Sequence, residues 1–105
     1  MAVATLTDRA LEVRALFEAF EVATYGREWS VQDLMTGLVV DVGDLTRLVM
    51  AAIGARRIDD VQEKLAHELS DCLRSVLILA RKLNLDLGVA FSRTMDELET
   101  NLRSR

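Results

Sequence analysis

Between Leu34 and Leu48 one helical line returns every three or four positions, at Leu34, Leu38, Asp41, Leu45 and Leu48, apolar at all but one of them, in a chain that contains no proline at all. That spacing is the period of an α-helix, and without proline nothing interrupts the backbone hydrogen-bond ladder. Strand-like alternation is absent, whereas helix stop and start signals occur at three places. The spacing therefore predicts an all-α chain.

The same signals set the expected boundaries. A first helix runs from about Thr7 to Thr24, carries Leu16, Phe17 and Phe20 on its apolar face, and stops at Gly26. "GREWS" is the first loop, and Ser30 caps a second helix, with Asp33 completing a short capping box. That helix extends to Gly54; Asp59 or Asp60 caps a third, running to about Leu83, and Asn84 suits its C-terminus. Asp86 starts a fourth helix that fades into the polar "NLRSR". Short links between four helices predict a four-helix bundle of antiparallel neighbours, a single domain over 1–105 with 1–6 and 102–105 as frayed tails.

Charge and hydropathy narrow the function. A net charge of −4 argues against long nucleic acids, whose affinity depends on Lys and Arg meeting phosphates. The longest apolar runs, such as Val76 to Ala80, are too short to span a membrane, and "MAVATLTDR" has no signal-peptide core. A lone cysteine, Cys72, rules out an intrachain disulfide and is compatible with a reducing compartment. A cytosolic protein is the expectation.

Asp41 stands on the apolar line of the second helix, and Glu68 breaks the line of Val61, Leu65, Cys72 and Leu79 on the third. Each has an acid one turn away, Asp44 and Asp71. At 1.5 Å per residue both pairs lie roughly 12–16 Å from the intervening turn, so the four carboxylates are expected at one level of one seam. Carboxylates withdrawn from water repel one another unless a cation compensates, and all-oxygen ligation selects a hard ion, Mg²⁺ or Mn²⁺. Glu18/Glu21, Asp60/Glu63 and Asp96/Glu99 share the spacing but are expected at solvated faces or helix ends.

"LVVDVGDLTRLV" followed by "KLAHELSDCLRSVLILARKLNLDL" resembles the MazG-type nucleotide pyrophosphohydrolases, which are related to the dimeric all-α dUTPases; the resemblance covers roughly 29–91. Glu68 and Asp71 match the family's Glu-x-x-Asp half, Asp41 and Asp44 stand where its other half has Glu, and Val40 replaces the leading Glu. The resemblance implies Mg²⁺-dependent cleavage of a nucleoside triphosphate between its α and β phosphates, with Asp41, Asp44, Glu68 and Asp71 as metal ligands and one of them as base. The family's phosphate-binding Lys and Asn correspond to Thr94 and Leu98, with Arg93 one residue away as the substitute cation. A helical interaction or regulatory module with weak or no catalysis is the competing expectation.

Of the remaining candidates, Lys64 lies one turn before Glu68 and reaches either a phosphate or a neighbouring acid. Trp29 either stacks on a base or staples the start of the second helix. Gly43 admits a phosphate or a neighbouring helix close to the backbone, His67 reads as surface, and Cys72 reads as core. Val39, Val40, Val49, Leu73, Val76 and Leu77 exceed what one small bundle hides, which predicts a homodimer or a dimer of dimers.

Overall fold

The structure, a computed structural model, describes residues 2–54 and 57–105. Four helices and no strand are found among them: α1 Val3–Tyr25, α2 Val31–Ala52, α3 Val61–Lys82 and α4 Leu87–Arg103. No helix of the described residues is long and apolar enough to cross a membrane.

Local chemistry accounts for most of the boundaries. α1 ends at Gly26, whose φ of 80° is the left-handed conformation that glycine adopts without a Cβ clash. At the start of α2 the Ser30 hydroxyl accepts from the Asp33 N–H at 3.1 Å while the Asp33 carboxylate accepts from the Ser30 N–H at 3.0 Å. These bonds hold the Asp33 carboxyl below the usual carboxylate range, the Ser30 backbone contributing most and Arg27 next. α3 closes with the Leu85 N–H on the Ala80 carbonyl and the Asn84 N–H on the Arg81 carbonyl, Asn84 having a φ of 59°. This is the Schellman arrangement. Asp86 caps α4 through the Val89 N–H at 3.2 Å.

Three local expectations change. α1 begins at Val3, not near Thr7, because the Thr7 hydroxyl is spent on the Val3 carbonyl inside the helix; the frayed tail expected over 1–6 is thus helical from residue 3, and Met1 lies outside the described residues. α4 likewise continues to Arg103, into the tail expected from 102. Asp60 holds the N-cap position of α3 but has a φ of 54° and makes no capping bond with its side chain.

α2 and α3 pack along their length. Low numbers on one meet high numbers on the other: Leu34 and Gly37 share a hollow with Ser75 and Ile78, while Asp44 and Leu48 share a cleft with Lys64 and Glu68. α1 lies on α3, where Ala10, Leu77 and Ile78 form the buried core with Val3, Leu6, Leu11, Leu34 and Leu87 around it. Leu77 is therefore core, not the surplus apolar surface expected of it. Leu16, Phe17 and Phe20 are the reverse case, since the inner face of α1 is Thr7, Ala10, Arg14 and Glu21 and those three apolar side chains are exposed.

That inner face also corrects the reading of Glu21. Its side chain is buried and ion-paired with the equally buried Arg14, and it accepts the Trp29 N–H at 2.7 Å, tying the end of α1 to the start of α2. Glu18 is held by Lys82 at 3.1 Å and by Arg14 at 3.4 Å, so neither acid belongs to a solvated face. The Lys82 hydrogen bond is the main reason that the Glu18 carboxyl sits below its ordinary range.

Candidate metal centre

The packing of α2 on α3 brings Asp41, Asp44 and Glu68 together. Each places one carboxylate oxygen within 4.8 Å of the other two, all three residues being half-buried. Two oxygens bound to one Mg²⁺ at 2.0–2.1 Å stand about 2.9 Å apart when cis and about 4.2 Å when trans, so side-chain movements of about an ångström put all three on one ion. The donor set is oxygen only, which suits a hard cation.

Glu68 is the most constrained of the three. Its Oε1 is buried and has no hydrogen-bond partner. Burial, then the charges of Asp41, Asp71 and Asp44, push its carboxyl above the usual range. A buried acceptor without a donor is costly, and a cation held between the three acids would satisfy it. The neighbouring Cys72 thiol is pushed up for the same reasons, burial first and then Asp41, Glu68 and Asp71.

Asp71, expected as the fourth ligand, is not within that group of three. Asp71 lies 3.2 Å from His67 Nε2 and 3.6 Å from Arg74 Nη2, both on its own helix. Asp44 is shared in a similar way, with Arg47 Nη2 at 2.7 Å, but both side chains are well exposed there and such a pair yields readily to a competing ion.

A cleft of about 580 Å³ opens beside the carboxylates, between the loop-proximal halves of α2 and α3. Asp44 and Glu68 line it together with Arg47, Lys64 and His67. Lys64 thus falls where the sequence placed it, next to the acids. Arg47 and His67 are additional cleft residues; Arg47 was legible only as a residue one turn after Asp44, a spacing common on any helix surface. Trp29 lies elsewhere, in a hollow of about 70 Å³ with Leu34, Gly37, Asp41 and Arg14. Its neighbour Leu34 is the position a helix-start staple uses, and Asp41 borders the same hollow. Arg93 lines a shallow depression on α4 with Asp96, Glu97, Thr100 and Asn101, and no α4 residue lines the cleft.

Gly43 has no atom within 4 Å of where a Cβ would stand, so neither a helix nor a loop of the described chain uses the space. Gly43→Ala is expected to stabilise the protein by up to ~1 kcal/mol, the helix-propensity difference. Chemical denaturation checks this. A loss of stability would mean that the glycine backbone has a packing partner outside the single chain.

Comparison with protein-family models, with curated proteins and with solved structures finds no match.

Proposed function

We propose that the protein is a Mg²⁺-dependent nucleoside triphosphate pyrophosphohydrolase with a MazG-like antiparallel arrangement of helices, releasing a nucleoside monophosphate and pyrophosphate. The observation that carries the reading is the approach of Asp41, Asp44 and Glu68 around an unpartnered buried oxygen, beside a cleft lined with Lys64 and Arg47. Mn²⁺ suits the same donors.

Bound there, the divalent ion supplies Lewis-acid activation of water and neutralisation of phosphate charge. The chain supplies the rest. Asp41, Asp44 and Glu68 would hold the ion beside the cleft, where Lys64 and Arg47 would offer donors to non-bridging phosphate oxygens. A carboxylate oxygen not engaged by the ion would accept the proton of the attacking water. The uncovered apolar surface supports a homodimer, or a dimer of dimers, as the working form.

Purified protein incubated with each common ribo- and deoxyribonucleoside triphosphate and excess Mg²⁺ is expected to release pyrophosphate, with monophosphate as the nucleoside product. Release of inorganic phosphate with diphosphate would replace the reaction class, and silence on the whole panel would end the enzyme reading. One observation favours the alternative of a helical interaction or regulatory module: Thr94 and Leu98, the counterparts of the family's phosphate clamp, and Arg93, the substitute cation, lie on α4 and not at the cleft. The same panel separates the two.

A further inference from the structure

The chain exposes 7856 Å² and has a radius of gyration of 16.7 Å. A compact monomer of 11.7 kDa exposes roughly 5,900 Å² and one of this length has a radius near 13 Å. About 2,000 Å² of surface per chain is therefore in excess, an amount typical of the contribution to an obligate dimer interface and well above the ~800 Å² that each partner gives to an ordinary one.

The excess is not spread evenly. On α2, Met35, Val39, Val42 and Val49 each stand one residue after the seam positions Leu34, Leu38, Asp41 and Leu48; on α3, Leu69, Leu73 and Val76 stand one after Glu68, Cys72 and Ser75. One residue is a 100° turn, and because the two helices run in opposite senses, that turn carries both stripes to the same side of the pair. All seven are exposed. They lie on one face of the pair, interrupted on α2 by Thr46. α1 takes a different side, where Arg14 shares its hollow with Gly37 and Arg74.

α4 carries a second stripe. Phe91, Met95, Leu98 and Leu102 follow the alternating four–three spacing of a helix-packing seam, yet they are 59%, 40%, 50% and 67% exposed. Past Gly88 every residue of α4 is exposed, so the helix is held only at its start, where Leu87 joins the core. Pairing of α4 with its counterpart alone would bury a face about 25 Å by 10 Å, which leaves most of the excess and the whole α2–α3 face uncovered.

We infer that α4 is an exchanged arm, laying its Phe91–Leu102 stripe on the open α2–α3 face of a second copy of this chain while receiving that copy's arm on its own face. The exchange covers both stripes at once and leaves the carboxylate cleft open. It owes nothing to the phosphate chemistry proposed above.

The test reads mass and cross-links, not activity. Light scattering at micromolar concentration is expected to give twice the mass of one chain for the wild type. Leu98→Asp and Leu73→Asp, both at exposed positions, are each expected to give single-chain mass with the helical circular dichroism retained. A photo-cross-linker at Met95, in a mixture of isotope-labelled and unlabelled chains, is expected to join chains of different label through residues 31–52 or 61–82. A wild type of single-chain mass, a dimer indifferent to Leu98→Asp, a cross-link within one chain, or one from α4 to α4 would each overturn the exchange.

Discussion

Glu68→Gln is expected to abolish pyrophosphate release, lowering kcat by about a thousandfold or more, and to remove the thermal response to Mg²⁺. A divalent ion at a hundredfold excess over its Kd stabilises a folded protein that binds it by about 2.7 kcal/mol, which for a domain of this size raises Tm by roughly 10–20 °C. The amide keeps the shape of Glu68 but offers no charge to the ion, so both effects vanish together.

Without metal the variant has the opposite consequence. Burial and the three neighbouring acids make the ionised Glu68 unfavourable in the folded state. Because its folded pKa is raised, the unfolded chain loses the proton first. Apo stability therefore declines as pH rises from the ordinary glutamate value of 4.5 through the raised one, and stays lowered above it. Glu68→Gln removes that decline, so the apo variant is expected to be the more stable at neutral pH. Melting of both proteins across pH, with and without Mg²⁺ or Mn²⁺, measures all of this. A variant that is simply less stable and still responds fully to the ion would remove Glu68 from the site. Asp71→Asn is expected to do less, since Asp71 lies beside His67 and Arg74.

Arg14→Ala is expected to cost about 3–5 kcal/mol, the penalty for leaving one partner of a buried ion pair uncompensated. Glu21 would keep only the Trp29 N–H, and the junction between α1 and α2 would loosen with it. Replacing both partners by apolar residues of similar volume, Arg14→Met with Glu21→Leu, is expected to recover most of the loss, because no buried charge then remains. Urea unfolding of the three variants decides the matter. An Arg14→Ala protein within 1 kcal/mol of wild type would mean that the pair is solvated in solution.

Helix existence and most helix ends were legible in the sequence, because caps are local. Gly26, the Ser30–Asp33 box, Asn84 and Asp86 each act within a few residues of their own position, and each does in the fold what its residue type suggests. Asp60 fails for an equally local reason, its left-handed backbone turning the side chain away from the cap. The meeting of Asp41 and Asp44 with Glu68 was also readable, since two helices joined by a short link must bring residues at equal distances from the turn to one level.

Tertiary structure decided the rest. Whether Asp71 joins the carboxylates depends on the competing attraction of His67 and Arg74, one turn to either side of it, and periodicity carries no such ranking. Glu21 looked like a surface acid because spacing describes the face a residue is on, not what covers that face. Only the packing of α1 on α3 and the return of the chain at Trp29 bury it. Conversely, a periodic apolar stripe is the same pattern whether its partner belongs to the same chain or to another. What the sequence determined was the periodic stripes themselves, and the fold decided which of them the chain covers and which it leaves exposed.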